Sequence, residues 1–183
     1  MKDIIQSKND LQIGFKAPNF KLQDVVTGNF FNLNDLKGSK GIVIMFLNNH
    51  CPYAKHVNEE IVRVANDYRV IGFGFAAISS SDISMYPEDS QQQMIEVARE
   101  EDYSFPYLFD KDLSVAKAYH VKETPDFLVF DKAMEMTYHG QLDDSRPQNN
   151  IPLSGTSLRR ALDAILSNRP PLRNQKPSNA NDI

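Results

Sequence analysis

What this sequence lacks first is a partner for its own sulfur: Cys51 is the only cysteine in 183 residues. No internal disulfide can form, so cysteine usage gives no argument for secretion. The opening stretch, MKDIIQSKND, has none of the apolar core that a signal peptide needs. No run reaches the roughly 18 apolar residues required to span a bilayer. A basic cluster is missing too. Twenty Lys and Arg stand against 24 Asp and Glu, for a net charge of −4, which argues against a nucleic-acid partner. The four histidines, His50, His56, His120 and His139, follow no zinc-ligand spacing, and no metal or cofactor is expected. There are no internal repeats. These absences set the expectation of a cytoplasmic protein with no membrane or nucleic-acid partner.

What is present suits one domain with a sizeable core: 41% hydrophobic and 24% charged residues. Residues 1–11 are polar and read as a flexible N-terminus, 12–169 as the domain. The last stretch, 170–183, is PPLRNQKPSNANDI. It is poor in apolar residues and reads as an extended or disordered tail. Phe20 and Leu22, then Phe30, Phe31 and Leu33, flank Thr27–Asn29 and predict a hairpin. IVIMFL, residues 42–47, predicts a buried central strand. Ala54, Val57, Ile61, Val64, Ala65 and Tyr68 recur at spacings of three and four and predict a helix. FGFAAIS predicts a second buried strand and SQQQMIEVAREED a second helix, capped by Asp89 or Ser90. FPYLFD reads as a short edge strand and LSVAKAYHV as a short helix. DFLVFD and EMTYHGQL read as a late hairpin, and SGTSLRRALDAILSNR as a final helix with a Ser or Thr cap. Strand–helix–strand units of this order give an α/β architecture with a central parallel pair, antiparallel strands at one edge and helices on both faces.

Cys51 sits where the first buried strand gives way to the helix that begins at Pro52, a residue suited to the first helical position. In open α/β sheets this is where ligands bind. Unpaired N–H groups and the positive end of the helix dipole favour a thiolate there, the reactive form of cysteine, and a protonated His50 would add to that. The competing reading is a small buried hydrophobe. Asn48 is read both as a cap of the turn and as a contact for substrate. GFGFAA, residues 72–77, imitates a dinucleotide fingerprint in the wrong order, helix before strand, and is rejected. YPED, residues 86–89, reads as a helix cap. DDSRP, residues 143–147, reads either as a turn with an internal ion pair or as part of a site. Strand directions bring Ser79–Asp82, Tyr86–Asp89, Asp143, Asp144 and Arg146 to the Cys51 end of the sheet.

At this point the residues take on a resemblance. IVIMFLNNHCPYAK resembles the thioredoxin strand followed by W-C-G-P-C-K, with Cys51 on the attacking cysteine, Ala54 on the second and Lys55 on the lysine. ETPDFLVFD resembles the thioredoxin cis-proline landmark and implies that Thr124–Pro125 is a cis pair packed against Cys51. The segment from Gly14 resembles the N-terminal hairpin of peroxiredoxins. NNHCPY, YPED, FPYLFD, TPDF and DDSRP occur in the order of a bacterial branch of peroxiredoxin-like thioredoxin-family proteins, related to alkyl hydroperoxide reductase and thiol-specific antioxidant. The resemblance covers roughly residues 12 to 178. It implies a thioredoxin-like fold: a central mixed sheet, helices on both faces and an N-terminal β-hairpin extension.

The departures bear on mechanism. The branch has C-N-H-C where this chain has Asn48 first, and its frequent C-terminal cysteine corresponds to about Asn181. Ile44 and Asn48 replace the peroxiredoxin Pro and Thr, and no arginine stands near Pro125. Every obvious resolving partner is missing. The resulting expectation is a thiol oxidoreductase with Cys51, His50, Thr124 and Pro125 in the catalytic set. Asn48, Pro52, Tyr53, Asp144 and Arg146 would contact substrate. Its substrate would be a peroxide or a disulfide, and an external thiol, glutathione or a thioredoxin-type protein, would complete the cycle. CPYA also resembles the glutaredoxin C-P-Y-C with its second cysteine lost. The alternative is a redox-inactive binding or scaffold protein on the same fold.

Overall fold

A computed structural model describes residues 12–178 and 181–182. The N-terminal segment expected to be flexible, 1–11, lies outside the described residues. The hairpin at the start is β1 (Lys21–Asp24) and β2 (Phe30–Asn32), paired antiparallel. Asp24 fixes its turn by accepting from the Thr27 backbone and hydroxyl. One helical turn follows, α1 (Leu33–Leu36). Asn32 and Asp35 cap each other's backbone N–H groups in a capping box.

Gly41–Phe46 form β3, with all six residues buried. It is followed by α2 (Pro52–Arg69), then β4 (Phe73–Ser79), parallel to β3. A 3₁₀ turn (Pro87–Asp89) leads into α3 (Gln91–Glu100), β5 (Tyr107–Phe109) and α4 (Ser114–Ala118). The chain then forms the two-residue β6 (Glu123–Thr124). β7 (Asp126–Asp131) pairs antiparallel with both β3 and β8 (Met136–Gly140). α5 (Thr156–Leu166) closes the domain, and β9 (Asn181–Asp182) lies against β6. The sheet order is β2-β1-β5-β4-β3-β7-β8.

Alternation along β3 divides the core. Val43, Met45 and Leu47 face a layer that includes residues of α2, α3 and α5, while Ile42, Ile44 and Phe46 face residues of α1 and α4. Each buried aliphatic side chain of α2, such as Val57, Ile61 or Val64, contributes about 2 kcal/mol by leaving water.

Two local expectations are corrected and a third is met in part. β5 is interior, because β1 of the N-terminal hairpin pairs with its outer side. The cap of α5 is Gly155, at φ 62°, where the left-handed backbone favours glycine over the expected Ser or Thr. Ser90 does stand at the cap of α3, without a side-chain capping bond.

Gln175 and Lys176 of the C-terminal stretch lie along β8. The Gln141 N–H donates to Lys176 O at 3.1 Å. Gln175 accepts from the His139 N–H at 2.9 Å and donates to Thr137 O at 2.9 Å. Glu123 then pairs with Asp182 and Thr124 with Asn181.

Candidate active site

β3 delivers the chain to a four-residue turn, and the turn is pinned on two sides before the helix begins. Asn48 Nδ2 donates to Ser80 O at 3.2 Å, and Ser79 Oγ donates to Asn48 Oδ1 at 3.4 Å. The Asn48 carbonyl accepts the Cys51 N–H at 3.2 Å. Asn49 Nδ2 donates to Glu88 O at 2.9 Å. The Tyr107 hydroxyl reaches Asn49 Oδ1 at 2.9 Å and Leu47 O at 3.2 Å. Burial pushes the Tyr107 phenol well above its ordinary 10.0, so it stays a proton donor. Asn48 therefore fastens the end of β3 to the end of β4, with its polar atoms turned to protein.

Cys51 is the N-cap of α2, in extended backbone at φ −74° and ψ 116°, and exposed Pro52 is the first helical residue. The thiol is fully buried and donates to Thr124 O at 3.0 Å. The peptide bond between Thr124 and Pro125 is cis. Cys51, Thr124 and Pro125, some seventy residues apart in sequence, thus meet. Thr124 Oγ1 is buried without a hydrogen-bond partner among the described residues.

His50 is held by the loop that carries YPED. Its ring Nδ1 lies 2.5 Å from Asp89 Oδ2, its backbone N–H donates to Asp89 Oδ1 at 3.0 Å, and its ring stacks on Tyr86 at 3.8 Å. Asp89 is fully buried. Sequence reasoning assigned YPED to a helix cap and missed both contacts. No spacing could reveal them, since Asp89 lies 39 positions beyond His50.

A small cleft of about 20 Å³ opens beside the cis-proline. Tyr53, His56, Pro125, Leu142, Arg146 and Ser178 are among its walls, and Cys51 is not. His56 Nε2 lies 2.8 Å from Ser145 Oγ, whose own proton goes to Ile151 O at 2.6 Å. His56 therefore donates from Nε2.

The DDSRP residues separate in role. Asp143 is a loop anchor, accepting from the N–H groups of Ser145, Ser154 and Gly155. Asp144 is exposed and pairs with Lys176 at 2.6 Å, which together with Gln141 holds its carboxyl below the ordinary 3.8. Arg146 donates to Asp143 O, Ser145 O and Gln141 Oε1. It walls the cleft beside Pro125, whereas Asp144 is turned to the C-terminal stretch.

Beside Pro125 lies a second pair that the sequence did not announce. His139 Nε2 lies 2.6 Å from Asp126 Oδ2, both are buried, and Asp126 Oδ1 accepts from Ser178 Oγ at 2.9 Å. Among the described residues no three His, Cys, Asp or Glu side chains are grouped to hold a metal ion. No helix among them is long and apolar enough to cross a membrane.

Known proteins are similar to this chain at several distances. An uncharacterized conserved protein of Geobacillus kaustophilus is 52% identical, with TM-score 0.89, over 91% of this chain and 88% of that one. A Sinorhizobium meliloti protein is 36% identical, with TM-score 0.92, over 96% and 95%. The thiol-disulfide oxidoreductase ResA of Halalkalibacterium halodurans is 26% identical over 129 residues, 70% of this chain and 65% of that relative. The stretch shared with ResA thus spans just under two thirds of its length. The fold, a mixed central sheet with an N-terminal hairpin and a cis-proline beside the cysteine that caps α2, is thioredoxin-like. Residues 13–139, well over half of the sequence, match the model of the AhpC/TSA family, and it is to this family that the chain belongs.

Proposed function

We propose that the chain is a thiol oxidoreductase in which Cys51 alone carries the redox chemistry. The observation that carries this reading is the placement of Cys51 at the start of α2, its sulfur 3.0 Å from the carbonyl that precedes the cis-proline. A cysteine serving only as packing needs neither a helix N-terminus nor a turn fastened by Asn48, Asn49 and His50.

With a peroxide, the Cys51 thiolate attacks one oxygen. An S–O bond forms as the O–O bond breaks, the second oxygen leaves as hydroxide or alkoxide, and the cysteine becomes a sulfenic acid. An external thiol then attacks that sulfur, water departs, and a mixed disulfide forms. A second thiol takes the partner sulfur, which releases a disulfide and restores Cys51. With a disulfide substrate, Cys51 attacks one sulfur and the other leaves as thiolate, so the mixed disulfide forms directly. Both routes require an outside reductant, because the sequence holds no second cysteine. Glutathione or a thioredoxin-type protein in a reducing, cytoplasmic setting meets that requirement. Family membership supports the peroxide route, and the name of the ResA relative supports exchange.

Thr124 accepts the resting thiol, Pro125 and Tyr53 border the approach, exposed Pro52 offers a contact at the start of α2, and Arg146 offers positive charge to an anionic group of the substrate. Asn48 holds the turn. A redox-inactive binding protein is favoured by one observation, the complete burial of Cys51. Peroxide and disulfide consumption, measured with glutathione present, decides between the two. Turnover in the wild type that falls to the uncatalysed rate in Cys51→Ser is the expected result. Equal rates in the two proteins leave the binding reading.

A further inference from the structure

The geometry points to the C-terminal stretch as a removable cover over Cys51, held by dedicated contacts and displaced before the sulfur can react. The inference rests on the reading of Cys51 as a reactive thiol, since an inert one has no use for controlled access.

Four observations place the cover. The first is a backbone cradle. A Cβ at Gly140 would come within 2.1 Å of Lys176 O, so β8 approaches the stretch as closely as only a glycine allows, and the next N–H, of Gln141, donates to that same oxygen. The second is Gln175, which bonds Thr137 O and the His139 N–H on β8 and Leu172 O within the stretch itself. A side chain that bonds three backbone groups holds the stretch in one register. The third is Ser178, which donates to Asp126, the residue after the cis-proline, and walls the cleft next to Pro125. The fourth is β9, which pairs with β6 and sets Asn181 opposite Thr124. Thr124 is the residue whose carbonyl takes the Cys51 thiol.

The C-terminal stretch thus reaches the cysteine's own hydrogen-bond partner and one wall of the adjoining cleft. The sulfur itself has no exposed surface. Leu172 packs on the core, but beyond it the contacts named are polar and residues 173–178 are half-exposed or exposed, so this part detaches without opening the core. An edge strand of two residues gains a partner from β9 and offers the same edge to any extended segment that displaces it. Access to Cys51 would then depend on release of this stretch.

The test uses the full-length chain and reads access without turnover. Two quantities are followed at fixed pH in the native protein: the rate of Cys51 alkylation by iodoacetamide, and hydrogen exchange at the Gln141 amide, which reports the bond to Lys176. Gly140→Ala forces the stretch outward, and Gln175→Ala, a half-exposed substitution that leaves the core intact, removes its side-chain anchors. Both variants are expected to raise alkylation at least tenfold and amide exchange by the same factor, because one opening event governs both. Faster exchange with unchanged alkylation would overturn the inference, since release would not uncover the sulfur. Unchanged values of both in the two variants would overturn it as well. A Cys51 whose alkylation follows release of the stretch, yet which reduces neither peroxide nor disulfide, would leave the cover standing and remove the catalytic reading.

Discussion

His50 on Asp89 and His139 on Asp126 make the same contact at almost the same length, 2.5 and 2.6 Å, at two ends of one site. Their surroundings differ. Asp89 gives both oxygens to His50, one to the ring and one to the backbone, and Tyr86 covers the ring face. The contact uses Nδ1 and leaves Nε2 on a ring that keeps some exposure. His139 uses Nε2 instead, and its Nδ1 is buried without a partner among the described residues. Asp126 spends its other oxygen on Ser178 of the C-terminal stretch and on the Phe127 N–H. The difference teaches that two identical side-chain pairs acquire roles from what else they touch. A ring with a route to water keeps one nitrogen within reach of solvent. A sealed ring is a strut, in this case one that supports the wall of the cis-proline and the anchor of the cover.

The largest expected effect separates the two histidines by rate. If His50, next to Cys51 in the chain, also moves a proton for the reacting sulfur, His50→Phe slows the reaction of Cys51 with peroxide or disulfide about a hundredfold, the low end of what a positioned proton-transfer group contributes. His139→Phe leaves the chemical step intact, as read by single-turnover loss of the Cys51 thiol in a background carrying Gln175→Ala, where the cover is loosened. Equal losses in the two variants would erase the distinction between them.

Stability should rank the pairs the other way. Asp126→Ala leaves a buried imidazole with no partner on either nitrogen and frees Ser178. A cost of about 2–4 kcal/mol follows from the penalty of unpaired buried polar groups. Asp89→Ala costs less, because His50 reaches water when its carboxylate goes. Urea unfolding midpoints of the two variants, compared with wild type at equal m-value, measure the order. A larger loss from Asp89→Ala would reverse the assignment of strut and solvent-reaching ring.

How much of this was legible follows from the kind of interaction involved. Hydrophobic periodicity exposed β3, α2 and the late hairpin, because burial imposes a period of two or three to four on the chain. The meeting of Cys51 with Thr124 and Pro125 came from motif resemblance, and strand direction set Asp143, Asp144 and Arg146 at the Cys51 end of the sheet without showing that Arg146 lines a cleft beside Pro125. The polar pairs had no such signal. His139 lies opposite Leu128 in the β7–β8 register, which sets it diagonal to Asp126, and a register shift between Val129 and Phe130 is not written in composition. The hold on the C-terminal stretch was equally hidden. It comes from backbone groups, one glycine and polar side chains, in a segment whose low apolar content predicted only extension or disorder.

The smallest effect sharpens the comparison at the periphery, where Lys176 pairs with Asp144 in solvent. Lys176, then Gln141, hold the Asp144 carboxyl below its ordinary 3.8 in the folded chain. A folded value below the unfolded one means that the pair stabilises above the unfolded value, with the contribution lost as pH falls through the lower folded value. Exposure limits that contribution to a few tenths of a kcal/mol. Lys176→Met is therefore expected to raise the Asp144 titration midpoint toward 3.8 by carboxyl NMR. The stability difference from wild type should be present at neutral pH and vanish in acid. A few tenths of a kcal/mol in docking corresponds to less than about a twofold rise in Cys51 alkylation, far below the effect of Gly140→Ala. A tenfold rise from Lys176→Met would show that the exposed ion pair, and not the buried anchors on β8 and Asp126, holds the stretch in place.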